Sequence, residues 1–466
     1  MRAISSWLFF TFLFLLPWQT RWIWQQGEIN GAPWEYGTFS IYGTEILLWL
    51  AIILFIINFF LKNGFRKREL LNCYIVKLLV VLLVSVLIIM GIVWNSQSWE
   101  ISYQFIFRLL EGLAVVSIFV IFGATKNPLN LDFKGSFVAL RACPERSEGM
   151  TMALWLGGVA QGLFAFGQFL LQTVPANKWL GLASHAPQDL GASVVEFGGE
   201  RWLRAYGSFG SPNSLGIYLA VCLVVGLILI LSLRGSERRG NPLEAERLLR
   251  HRLWFVLAMT AGQVIITTGL VLSFSRTAWL SALVGIIFLG LFLWKEKSKE
   301  RIREYFKQLL FIVLPIICLM AIFFPIFFAR FNLDNRLEAK SVGERSGQYT
   351  EWVAIFKSHP WFGVGPGAYT LALAEKNPSV STYDLQPVHN IFLLSLVELG
   401  IFAWLSLFFI LSYLIYKIYR LQPVFLAVIV ALFVSGFTDH LLWSMYSGMM
   451  LWWVVLALGI RHRLDY

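Results

Sequence analysis

The chain alternates between long apolar runs and short polar connections over its 466 residues. The runs lie near 4–18, 41–61, 71–94, 103–124, 152–174, 212–233, 253–274, 276–294, 308–328, 389–416, 424–440 and 442–460. Most are about 20 residues long, enough for a helix to cross a ~30 Å hydrocarbon layer. The pattern predicts an all-α, polytopic integral membrane protein with about twelve transmembrane helices. The first run has the length of a secretory signal, but no small-x-small cleavage site follows it. Trp18, Trp22 and Trp24 suit an interfacial aromatic belt, so the run is read as a retained helix.

Composition agrees with this class. Hydrophobic residues make up 58% and charged residues 14%, with a mean hydropathy of +0.67. A soluble enzyme, a secreted disulfide scaffold and a disordered chain are all excluded. Cys73, Cys143, Cys222 and Cys318 are scattered and show no metal-ligand spacing. The net charge of +11 reflects a positive-inside bias rather than nucleic-acid binding. With both termini in the cytoplasm, the cytoplasmic segments hold 25 of the 38 Lys and Arg residues and the external segments 11.

In that orientation two external segments, 175–211 and 329–388, are too long for simple turns and are expected to carry function. The second contains Tyr349, Trp352 and Phe356, at i, i+3 and i+7. That spacing fits a helix lying on the membrane surface or packed on the other loop. The chain divides into N-terminal membrane helices over 1–150, ending in the hydrophilic linker Arg141–Gly149, and a larger membrane region over 151–466 that bears both loops.

Asp-x-Asp, a Walker-type lysine loop and a His-Glu-x-x-His helix are all missing, which removes support for nucleotide-driven or zinc chemistry. Arginine and histidine remain. Arg204 precedes the turn Gly207–Asn213, and Arg276 sits in the tight turn Ser273–Thr277 between two spans. Guanidinium groups stay charged and bind phosphate bidentately, so two facing outward could hold a diphosphate without a metal; ordinary snorkelling is the alternative. His389, in Val388-His389-Asn390, could take a proton from an acceptor hydroxyl or simply cap a helix. Asp384 and Asp439 are the external carboxylates best placed to orient it. Glu398 lies about 180° round the helix from His389 and ~13 Å along it, so it suits helix packing instead. His359–Gly367 reads as a Gly-Pro turn, and Arg108 with Glu111 as an intramembrane ion pair.

Taken in order, these stretches are Arg-x-x-Gly-x-Phe-x-x-Pro-Asn, a Ser-Arg turn, and a long loop ending in His-Pro-x-x-Gly-x-Gly-x-Gly and then His-Asn. Over roughly 200–440 this order resembles the O-antigen ligase and O-antigen polymerase superfamily of bacterial envelope proteins. The resemblance implies a metal-independent, inverting glycosyltransferase without cofactor, acting on the outer face of the cytoplasmic membrane. It assigns Arg204 and Arg276 to the diphosphate of an undecaprenyl-diphosphate-linked glycan donor and His389 to the catalytic base. Arg345 is a further candidate for phosphate or glycan contact. The acceptor would be an extracytoplasmic glycan, lipid or protein. Gly400 fits the ligase pattern, whereas Ala403 stands where that pattern has a second glycine. Polymerase and protein oligosaccharyltransferase activities are the alternatives within the superfamily. A lipid-linked-glycan flippase is the rival outside it, but Lys77, Arg108, Glu111 and Glu398 form no continuous route.

Overall fold

The computed structural model describes residues 2–63, 96–124, 146–234, 242–332 and 336–460. The predicted span 71–94, Cys73, Cys143 and most of the linker Arg141–Gly149 lie outside the described residues. The helices are α1 (Arg2–Leu15), α2 (Gly43–Asn63), α3 (Trp99–Ala124), α4 (Arg146–Leu171), α5 (Pro212–Arg234), α6 (Pro242–Leu272) and α7 (Arg276–Glu296). They continue with α8 (Lys299–Ile322), α9 (Phe324–Phe331), α10 (Arg336–Ser358), α11 (Tyr369–Lys376), α12 (Ile391–Leu421), α13 (Leu426–Thr438), α14 (Leu441–Ser444) and α15 (Tyr446–Ile460). Among the described residues, 7 helices are long and apolar enough to cross a membrane. Shorter apolar helices at Ile4–Leu15, Gly43–Asn58, Pro423–Thr438 and Tyr446–Ile460 accompany them. All fall on predicted runs, and the chain is an all-α polytopic membrane protein.

Helix α5 is apolar on every side, so it can be stable only in the middle of the bundle. Its apolar window is 94% buried, against 22% for the peripheral α8. It packs against α4, α6, α7 and α13. Small residues allow close approach: Gly285 of α7 meets Ala431 of α13, and Ser281 Oγ lies 2.8 Å from Ser435 Oγ across the same seam.

The connections differ from expectation in two ways. Three small antiparallel pairs occur: β1 (Arg21–Gln25) with β4 (Phe39–Tyr42), β2 (Glu28–Ile29) with β3 (Ala32–Pro33), and β5 (Val194–Phe197) with β6 (Glu200–Leu203). Strands this short carry too little alternation to register in the sequence. Residues 16–42 also form a third structured connection beside the two expected. Thr20 Oγ1 donates to Trp179 O and Ser208 Oγ to Pro17 O, while Trp34 Nε1 donates to Thr370 Oγ1. All three connections therefore meet at one end of the bundle.

Arg108 does not pair with Glu111 as expected. Its Nε lies 3.9 Å from Glu45 Oε1, and Glu111 accepts from Trp49 Nε1 at 2.5 Å. Residues three apart on one helix share a face, but here both side chains find partners on α2.

Helix α12 is kinked. Gly400 has φ of 69°, a left-handed conformation inside an otherwise helical run. The segment His359–Gly367 packs into the kink: Val364 N donates to Val397 O at 3.0 Å, Gly365 N to Glu398 O at 3.1 Å, and Ile401 N to Pro360 O at 2.9 Å. The backbone groups freed by the kink are thereby satisfied, as irregular backbone within a bundle requires. A Cβ on Gly400 would strike the backbone of Trp361 and Gly363. Gly400→Ala is expected to destabilise the fold by about 2–4 kcal/mol, from left-handed strain plus overpacking. Thermal denaturation in detergent measures it, and an unchanged midpoint would contradict the account of the kink.

Candidate active site

The turn between α6 and α7 gathers arginines. Phe274 takes φ of 48° although it is bulky and buried against Phe169, Phe327 and Trp279. Such strain persists only where surrounding packing enforces it, and it clusters at functional sites. Two successive carbonyls of the turn accept from guanidinium groups: Ser273 O from Arg204 Nε and Phe274 O from Arg330 Nε, each at 2.9 Å. Arg276 is the first residue of α7, behind the N-cap Ser275, and its Nη1 reaches Arg330 O at 3.5 Å. Arg204 and Arg276 thus come to one turn, and Arg330 joins them. A helix N-terminus among arginines is electrostatically suited to an anion.

Arg204 is buried, with an exposure of 8%. Its own loop is held by side chains of α4. Gln168 Oε1 accepts from Tyr206 N and Gly207 N while its Nε2 donates to Gly207 O, and Gln161 Oε1 accepts from Ser208 N. Gly207 needs φ of 59°, and a Cβ there would meet Gln161. Buried glutamines thus replace the water that would otherwise satisfy this backbone.

From Arg204 a polar chain runs toward the histidines. Arg204 Nη2 donates to Asn213 Oδ1 at 2.8 Å, and Asn213 Nδ2 donates to Asp439 Oδ2 at 3.1 Å. Asp439 is followed by His440, which is buried and lies with its Nδ1 2.6 Å from Ser444 Oγ. The His440 ring meets that of His389 edge-on, with centroids 5.0 Å apart. Asn390 produces this juxtaposition. Its Oδ1 caps α12 by accepting from Phe392 N and Leu393 N, and its Nδ2 donates to Phe437 O at the end of α13. The helix cap is therefore Asn390, not His389.

The long loop covers this pair. Helix α10 docks its first turns on the β5–β6 hairpin, where Arg336 lies 3.5 Å from Glu196. Its other end docks on α12, where Trp352 Nε1 donates to Leu393 O at 2.8 Å and the Trp352 and Phe356 rings stack. Tyr349 is exposed, so the apolar spacing marks a docked helix on one side only. Gln348, on the docked face, contacts His389: its Oε1 lies 2.8 Å from Nδ1 and accepts from the backbone N at 3.3 Å.

Both histidines lie outside the spanning helices, and burial holds each below the usual imidazole range. For His389, Asp439 and Glu344 oppose that shift and Arg345 adds to it. His440 is pushed down to about 3, by burial first and then by His389, with Asp439 opposing. Both rings are neutral at pH 7. Of the two aspartates expected to orient His389, Asp439 is the one whose field reaches it, together with that of Glu344. Arg345, one turn before Gln348 on α10, acts on both histidines. Glu398 instead accepts from Trp443 Nε1 at 2.7 Å, in keeping with a packing role. A cavity lined in part by Tyr36, Gln104, Arg108, Glu398, Trp443 and Ser444 adjoins His440 through Ser444.

Gln348 and Arg330 were not singled out from the sequence; Asn213 ends the Arg-x-x-Gly-x-Phe-x-x-Pro-Asn stretch, but neither it nor His440, one of the external histidines, was given a role of its own. Gln348 precedes Trp352 by four residues and Arg330 falls in the last turn of α9; neither position carries a motif. His185 stacks on Tyr206, and His359 ends α10; neither contacts the His389–His440 pair among the described contacts.

Comparison with known families matches residues 261–408 to the model described as O-antigen ligase. A search of curated proteins finds no match. The matched residues contain Arg276, Arg330, Arg345, Gln348, His389 and the Gly400 kink. The chain is therefore a polytopic membrane protein that is similar, over residues 261–408, to the O-antigen ligase family.

Proposed function

We propose that the chain is a membrane glycosyltransferase that moves a glycan from an undecaprenyl-diphosphate carrier to an acceptor hydroxyl on the external face of a bacterial cytoplasmic membrane. The observation that carries this reading is the joining, through Asn213 and Asp439, of an arginine-lined helix N-terminus to a neutral histidine pair, His440 buried and His389 partly buried. In the reaction, the acceptor oxygen bonds to the anomeric carbon while the bond from that carbon to the carrier's phosphate oxygen breaks. His389 takes the hydroxyl proton. The charge that grows on the departing diphosphate meets Arg276 and Arg330, with Arg204 holding the turn and Arg345 nearby. Fixed cations in a site shielded from water stabilise that charge without reorganising. The aromatic and polar lining of the cavity beside His440 suits a sugar acceptor.

Because burial keeps His389 neutral, its base form persists below the usual pH of imidazole protonation. Turnover is expected to hold through neutral pH and to fall only on an acid limb below ~6.5. A pH–rate profile measures this, and a limb above that value would contradict the depressed pKa.

The number of repeats transferred separates ligase from polymerase. Purified protein in nanodiscs, given carrier-linked oligosaccharide and host envelope extract, is expected to yield an acceptor heavier by one donor glycan. A ladder of lengths on the carrier itself would make the enzyme a polymerase. Donor moved between leaflets of liposomes without bond cleavage would make it a flippase and overturn the proposal.

A further inference from the structure

We propose that Gln348 is the positioning residue that fixes the tautomer of His389, leaving Nε2 as the proton acceptor. The inference rests on the reading of His389 as base. Gln348 lies four residues before Trp352 on α10, and so on the face that the Trp352–Leu393 bond pins against α12. It is 8% exposed and directed at His389.

One side-chain atom of Gln348 makes both contacts: Oε1 lies 3.3 Å from the His389 backbone N and 2.8 Å from Nδ1. A backbone N–H can only donate, so the atom facing it is the amide oxygen and not the amide nitrogen. An amide oxygen can only accept, so Nδ1 carries the proton. A neutral imidazole has a single N–H, and Nε2 is therefore left with its lone pair. A neutral partner also avoids raising the basicity of the ring, as a carboxylate would. The other groups that face the ring are Asp439 and Glu344, which favour the cation, Arg345, which disfavours it, and the neutral His440.

Two variants separate this role from mere support. Gln348→Glu keeps the acceptor but places a negative charge on Nδ1–H. It is expected to retain turnover at high pH while the acid limb moves up by about one to three pH units. Gln348→Leu removes the acceptor and is expected to lower kcat roughly tenfold or more, leaving KM for the donor near wild type. The probe is a synthetic undecaprenyl-diphosphate oligosaccharide with host envelope extract, with carrier release read in nanodiscs. The nitrogen-15 spectrum of histidine-labelled wild-type protein, assigned against His389→Asn, reads the tautomer without any substrate and without a variant at 348. A protonated Nδ1 and bare Nε2, with the shifted limb in Gln348→Glu, would support the inference. A protonated Nε2 in wild type would overturn it, as would an unmoved limb in Gln348→Glu where His389→Ala is inactive. Full activity of His389→Ala would instead remove the base itself, which is a distinct failure.

Discussion

His389→Ala is expected to lower glycan transfer by about 10²–10⁴-fold, the usual contribution of a positioned general base. Binding of the carrier-linked donor should survive. The arginines that face the diphosphate in this account are Arg276, at the start of α7, and Arg330, on α9, and they are held by Arg330 O and Phe274 O rather than by His389. The fold should survive as well, because the start of α12 is secured by the Asn390 cap and by Trp352. Turnover and donor affinity measured on the same preparation distinguish the two effects. Turnover at the wild-type level would eliminate the base assignment, and joint loss of binding and fold would make His389 a structural residue.

Arg276→Ala should act on a different term. A guanidinium facing the leaving diphosphate contributes most when the bond breaks, so the loss falls on kcat by about 10²–10³-fold, equivalent to ~2.7–4 kcal/mol. Arg276→Lys should recover only part of it, because an ammonium cannot match phosphate bidentately. Arg204→Ala differs again, since that side chain also ties the Ser273 carbonyl to Asn213 and its loss should lower stability. The comparison reads kcat and KM for the alanine and lysine variants of Arg276 beside the melting midpoint of Arg204→Ala. A normal kcat in Arg276→Ala would remove it from the diphosphate site.

Much of the fold was legible because the bilayer imposes a length. Runs such as 212–233 and 276–294 are apolar over most of their length, and the helices Pro212–Arg234 and Arg276–Glu296 follow them closely. The kink in α12 was not legible: Gly400 lies within an apolar run, and only the approach of Trp361 and Gly363 shows why its φ is positive. Nor were the hairpins, whose strands run to five residues at most. Within the candidate site, Arg204, Arg276 and His389 stood out because charges near span ends need a reason. The side chains that hold them did not: Gln161, Gln168 and Gln348 are ordinary polar residues in the sequence, and Asn213 stands in the Pro-Asn motif without a role of its own. Their roles come from buried backbone and neighbouring charges that only the folded chain brings near. The misassigned Arg108–Glu111 pair has the same origin, since spacing within one helix gives no sight of Glu45 and Trp49 on the next.

The measurement that bears most directly on the central claim is the appearance of free undecaprenyl diphosphate. Wild-type protein in nanodiscs would receive carrier-linked oligosaccharide and acceptor, with a metal chelator present throughout. The account predicts release of the carrier in one-to-one ratio with glycosylated acceptor. Intact donor on both leaflets, with no carrier diphosphate released, would contradict it.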